Sequence, residues 1–193
     1  MNRSLLAVAV GGVILGAVAC SSIAADQRIG IITPDETQFD PVAGVVTMGN
    51  PADFLEHRCG SLDCHGQNGR NLRIWGCEGM RLGDAAPGCG LIGGQGPTTP
   101  DEYDSTFRSL VGLEPAVMTN VVTHHGDPSA PVEDLTFIRK ALGTEAHKGG
   151  QLMKQGDSQY QCLKSWLTGP TDQMACSMAI QIPTFPIPDA STE

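Results

Sequence analysis

The sequence predicts a small all-α domain with one long Gly/Pro-rich loop stapled by a disulfide. Three observations predict it. Beyond position 100, apolar residues recur at three- and four-residue spacing between capping and stop signals. No alternating apolar and polar run is long enough to read as a strand. Residues 66–100 are punctuated by glycine and proline and hold Cys77 and Cys89, and a disulfide is an obvious support for an excursion of that length.

The elements follow in chain order. Arg3 precedes an apolar run, residues 5–19, that is short for a transmembrane helix and has the form of a secretory leader. Ala17 and Ala19 before Cys20 resemble a bacterial lipobox. The resemblance implies cleavage after residue 19 and lipidation of the Cys20 thiol, with Ser21 favouring the outer membrane on its periplasmic side. The alternative is a plain leader cut near Ala25, which releases a soluble periplasmic protein. Residues 20–45 read as a polar, proline-interrupted tether. The domain then occupies residues 46–180, and residues 181–193 form a proline-rich tail.

Within the domain, Asn50 caps and Pro51 opens a short helix with Phe54 and Leu55 on its apolar side, leading into Cys59. After the excursion, Asp104, Phe107, Leu110 and Val111 suit one helix, and Pro115, Val117, Met118, Val121 and Val122 another that stops near Gly126. Pro131 begins a third with Leu135, Ile138 and Leu142, stopped by Gly143. A fourth runs from an Asp157 or Ser158 cap through Tyr160, Leu163, Trp166 and Leu167 to Gly169.

Composition narrows the function. The chain has 193 residues with 12 basic and 21 acidic side chains. Loss of the leader removes only Arg3 and leaves a net charge of −10. Nucleic acid and anionic membrane surfaces are poor partners for such a chain, because both require basic patches. Few aromatics and many glycines and prolines make a covalent staple or a large apolar cofactor valuable to the core. No nucleophile with a base, phosphate loop, paired-carboxylate signature or calcium loop is present.

The chemistry centres on RCGSLDCHG, residues 58–66. Two cysteines followed directly by histidine suit thioether attachment of a haem, with His65 ligating iron, although the familiar spacer is two residues and this one has four. Cys59 and Cys64 also suit a small disulfide, a zinc site with His65 and His57, or a redox-active thiol pair. Zinc would need adjacent ligands at Cys64 and His65, which is awkward sterically. From this stretch alone, haem and disulfide stand level.

Two blocks tilt the balance. RCGSLDCHG follows a short helix. A later stretch carries Lys140, Gly143, His147, Gly149 and Gly150, and then Ser158, Tyr160, Leu163, Trp166, Leu167 and Gly169. Together they resemble a cytochrome c-like family with a C-x-x-x-x-C-H-G haem motif, over about half of the mature chain. The resemblance implies a class I-like cytochrome c fold in which the helix before Cys59 crosses the last helix near Trp166. It implies one covalent haem c on Cys59 and Cys64, His65 as proximal iron ligand and His147 as distal ligand.

Met153 is the thioether alternative on the distal side. His124 and His125 suit a helix C-terminus without further role, and Met118 suits a core. In a haem protein Arg70 and Arg73 would suit the propionates. With Cys20 lipidated and Cys59 and Cys64 on haem, Cys77, Cys89, Cys162 and Cys176 remain. Three pairings exist, the most local being Cys77 with Cys89 and Cys162 with Cys176. The expected function is electron transfer by a lipid-anchored periplasmic monohaem cytochrome whose redox partner has a basic docking surface. Two other classes remain: a haem enzyme or sensor with an open distal position, and a disulfide-stapled surface lipoprotein without haem.

Overall fold

The computed structural model describes residues 30–39, 49–83, 89 and 96–181. The expected leader, the lipidation site at Cys20 and the tail beyond residue 181 lie outside the described residues. Six α-helices and no strand occur among the described residues, so the all-α expectation holds. None of these helices is long and apolar enough to cross a membrane.

Local chemistry sets most helix boundaries. Helix α1, Pro51–Cys59, starts where the Asn50 side chain accepts the Asp53 N–H at 2.9 Å, with Pro51 in the first turn. Helix α2, Pro100–Val111, starts earlier than its apolar register suggests. Thr99 and Glu102 form a reciprocal capping box that recruits the acidic stretch into the first turn. Helix α3 is Pro115–Thr123 and has no side-chain cap of its own.

The expected start at Pro131 is displaced. Residues Val132–Asp134 make one 3-10 turn and Leu135 is extended, so α4 is Thr136–Leu142. Its cap comes from outside: the Glu114 carboxylate accepts from Thr136 N and Oγ1 at 2.6 and 2.8 Å. A carboxylate borrowed from the residue before α3 thus ties α4 to its neighbour, a link that local periodicity does not reveal. Gly143 ends α4 in the left-handed region at φ 73°. Helix α5, Ser158–Thr168, is capped by Asp157. Helix α6, Gln173–Ile180, is an element the periodicity did not suggest. It is capped by Asp172 and joined to α5 through the Cys162–Cys176 disulfide.

Packing of α1 against α5 and α6 forms the centre of the domain. Phe39, Phe107 and Trp166 make an aromatic cluster, with Phe39 centred 4.9 Å from Trp166 and 5.5 Å from Phe107. The Trp166 indole donates to the Asp35 carbonyl at 3.1 Å. These contacts correct the expected tether over 20–45. Phe39 is fully buried, and Thr171 N donates to Gln38 Oε1 at 2.6 Å, so residues 31–39 belong to the fold. An isolated phenylalanine in a polar stretch carries no periodicity, and only the cluster it completes reveals its place.

Cys77 is joined to Cys89 within the excursion. A buried ion pair also holds that segment: Arg81 Nε meets Glu102 Oε1 at 2.7 Å, while its remaining nitrogens donate to the carbonyls of Gly96 and Pro97. Burial alone would raise the Glu102 carboxyl, but the bonds from Arg81, Thr99 N and Leu82 N outweigh it and hold it below its ordinary range. With every partner satisfied, the pair suits a buried site.

Candidate functional site

Helix α1 delivers Cys59 to the edge of the core, and the chain then folds tightly back on itself. His65 N donates to the Cys59 carbonyl at 2.9 Å, and both Cys64 N and Gly66 N donate to Ser61 O. The four-residue spacer is therefore a compact turn. Two glycines make this possible. A Cβ on Gly66 would lie 1.8 Å from the Gly60 carbonyl oxygen, and one on Gly79 would lie 1.9 Å from the same atom.

Further bonds fix the loop from outside. Arg70 donates from Nε to Cys64 O at 2.9 Å and from Nη2 to Asp63 O at 3.3 Å. Ile74 N donates to the His65 carbonyl at 3.0 Å. The His65 ring places Nδ1 3.0 Å from Leu72 O. A carbonyl can only accept, so Nδ1 carries the proton and Nε2 keeps its lone pair. Burial lowers the His65 pKa; the Leu72 bond opposes that shift, and the nearby His147 and Arg70 reinforce it. The lowered pKa favours the neutral form of the imidazole, which is the form that binds metals.

His147 comes from the loop after Gly143. Its Nδ1 lies 3.1 Å from Gly150 O, which by the same reasoning leaves Nε2 as the lone-pair nitrogen. Gly149 lies directly against this ring, where a Cβ would be 3.1 Å from Cε1. The rings of His65 and His147 have centroids 6.1 Å apart and planes inclined by 18°. The two rings are thus stacked at one place in the fold.

The two histidines line one cavity of about 420 Å³. Phe54, Leu55, Leu72, Phe137, Leu152 and Leu163 supply apolar wall, and Cys59, Arg70 and Met153 also reach it. A concave apolar site with a few convergent polar groups is the usual form of a cofactor pocket. Cys59 and Cys64 are free thiols, while the other four cysteines among the described residues are paired. Burial, with help from Cys64 and against Arg58, pushes the Cys59 thiol up to about 12. It is a neutral S–H rather than a ready thiolate.

The remaining candidates separate cleanly. Met153 is 2% exposed and lines the cavity beside the histidines. Arg73 does not line it: its Nε donates to Arg70 O at 3.2 Å, and its side chain borders a neighbouring depression with Trp75 and Arg108. His124 and His125 are exposed and bond to carbonyls of their own turn, Asn120 O and Val122 O. Met118 is core. His57 pairs with Glu78, which takes it away from the zinc set considered with Cys59, Cys64 and His65. Among the described residues, Glu56, Cys77 and Cys89 do bring three donor atoms within 4.8 Å, but both sulfurs are in a disulfide and offer no thiolate.

Several supporting residues escaped sequence reasoning. Leu72 acts through its carbonyl, which no side-chain pattern reports. The Arg81–Glu102 pair was half visible, since Thr99 and Glu102 have capping-box spacing. Tyr160, in the second sequence block, donates to Glu133 Oε1 at 2.6 Å, and burial together with that carboxylate raises its pKa. No protein-family model, curated protein or solved structure matches this chain.

Proposed function

We propose that the chain is a monohaem c-type cytochrome with a cytochrome c-like fold, acting in electron transfer. The single observation that carries the reading is the pair of stacked imidazoles, His65 and His147, with centroids 6.1 Å apart at one cavity and with both Nδ1 atoms committed to backbone carbonyls. Cys59 and Cys64 would hold haem c covalently, each thiol adding across one vinyl group so that no oxidant would be consumed. Bound haem c supplies a one-electron ferrous/ferric couple whose potential depends on axial ligands and burial.

The chain's own residues set the conditions. His65 is oriented by Leu72 O and His147 by Gly150 O, so each presents Nε2. The apolar walls from Phe54, Leu163 and Phe137 exclude water. With two nitrogen ligands in place, no position stays open for substrate. Met153, at the same cavity, is the alternative distal donor. The lipid anchor through Cys20 on the periplasmic side of the outer membrane belongs to the same proposal. So does a redox partner with a basic surface, whose association with this acidic chain weakens as salt rises.

The test is chemical. Expression of the full chain with c-type maturation machinery should add one haem mass to the polypeptide and give a two-thioether pyridine haemochrome spectrum. Unmodified polypeptide with a native Cys59–Cys64 disulfide would sink the reading and favour the stapled lipoprotein. The half-buried setting of His147 on a loop favours one second reading, a haem enzyme or sensor; rapid cyanide or carbon monoxide binding to the resting protein would select it.

A further inference from the structure

The loop that carries His147 is tied down in two different ways. At its ends the ties are to the backbone of α4. Thr144 N donates to Arg139 O at 3.1 Å, Leu152 N and Met153 N donate to Ala141 O at 2.8 and 3.1 Å, and the Gln151 amide donates to Leu142 O at 3.0 Å. Between these ends a long backbone bond, Glu145 N to Arg139 O at 3.4 Å, is joined by side-chain ties from two cations. Glu145 sends Oε1 to Lys140 Nζ at 2.9 Å and Oε2 to Arg139 Nε at 3.0 Å. Lys140 Nζ also donates to the carbonyl of Ala146, the residue before His147, at 2.9 Å.

The arginine is itself preset. Arg139 bonds Thr136 Oγ1 through Nη2 at 2.8 Å and Glu133 O through Nη1 at 3.3 Å. Lys140 stands on the next position of α4 and lines the cavity between the histidines. The side chains of the clamp are about one-third exposed, so the ion pairs are partly shielded from solvent. One carboxylate shared by an anchored arginine and a neighbouring lysine orders a short loop, with Glu145 and Lys140 the side chains immobilised on closing. Within the loop itself, the only bonds reaching His147 come from Gly150.

We infer that Arg139, Lys140 and Glu145 form a clamp that positions His147 opposite His65, so that the distal ligand is held or released by ionic contacts rather than by the core. The three are positioning residues: Arg139 and Glu145 do not line the cavity, and Lys140, which does, acts here through Glu145 and the Ala146 carbonyl. The inference rests on the proposed role of His147, but the clamp itself is a property of the polypeptide and is tested separately. Opening the clamp frees residues 144–150 while α5 and the cavity wall stay in place.

The full-chain protein is compared with Glu145→Ala, Lys140→Met and the charge-preserving Lys140→Arg by amide hydrogen exchange. Exchange over residues 144–150 should rise about tenfold in Glu145→Ala and Lys140→Met, stay within about twofold of wild type in Lys140→Arg, and leave residues 158–168 unchanged in all three. Wild-type exchange at 144–150 in Glu145→Ala overturns the clamp whether or not haem is attached. In the haem-bearing protein, Glu145→Ala should also bind carbon monoxide faster, approaching His147→Ala. A looser loop with unaltered ligand binding and spectrum overturns the positioning role. Failure of the haem reading itself is seen elsewhere, as a wild type without covalent haem, and the exchange comparison then still decides the clamp.

Discussion

The two histidines that face each other are held by opposite means. His65 sits in a loop closed by backbone bonds, packed glycine against carbonyl, and braced by Arg70 from outside. His147 sits on a loop whose middle is held by exposed ion pairs. Backbone closure is cooperative and leaves no partial opening, whereas surface ion pairs are worth a few tenths to about 1 kcal/mol each and respond to salt. The difference teaches that one side of the site is built as part of the fold and the other as an adjustable attachment. Substitutions on the first side should therefore cost stability, and those on the second should alter ligand behaviour.

The largest effect is expected at the buried pair that holds the excursion. Arg81→Ala leaves the Glu102 carboxylate buried without its cation and should cost about 3–5 kcal/mol, read from the denaturant midpoint. Wild-type stability would show that the excursion is not anchored there. Next, Gly66→Ala should cost about 3 kcal/mol or more, because its Cβ meets backbone at 1.8 Å, where nothing flexible can yield. Gly69→Ala serves as the control: no atom lies within 4 Å, and a change under about 0.5 kcal/mol is expected.

Removing the Cys162–Cys176 cross-link in the double alanine variant should cost about 2–3 kcal/mol through loop-closure entropy, seen as a lower midpoint. A smaller effect depends on pH. Burial raises the Glu56 carboxyl above its ordinary value of 4.5, against bonds from Thr98 and Glu78 N that lower it. The folded state then holds the proton more tightly than the unfolded chain. Stability from this group is complete below about 4.5 and is lost as pH rises through the folded value. Wild type should therefore gain on Glu56→Gln as pH falls from 7 to 5, and parallel midpoints over that range would remove Glu56 as the source. The smallest stability change belongs to the distal side. His147→Ala should shift the midpoint by under about 0.5 kcal/mol, while changing the visible spectrum of the haem-bearing protein.

Much of the helical frame was legible because its causes are local. Asn50 and Pro51 start α1, Asp157 caps α5, and Gly143 stops α4, each through a bond or dihedral within a few residues. Helix α6 was missed because its apolar residues, among them Ala175, Cys176 and Ala179, are small and follow Gly169 and Pro170, which read as an ending. Phe39 was missed because its burial depends on Phe107 and Trp166, far along the chain.

The candidate site divides the same way. Residue types and spacing singled out Cys59, Cys64, His65, His147 and Met153, since thiol, imidazole and thioether chemistry is written in the side chains themselves. Which of the other four histidines would face His65 was suggested only by the resemblance, because that depends on how α4 and its following loop lie against α1. Nor was the place of Arg73, which one turn of backbone carries out of the cavity while Arg70 remains. The sequence by itself determined the helical class, the cap positions and the short roll of groups able to bind a cofactor, because these arise from neighbours in the chain. Only the tertiary structure decided the pairing of His65 with His147, the burial of Phe39 and the Arg81–Glu102 bond, because each joins atoms that packing, and not chain proximity, brings together.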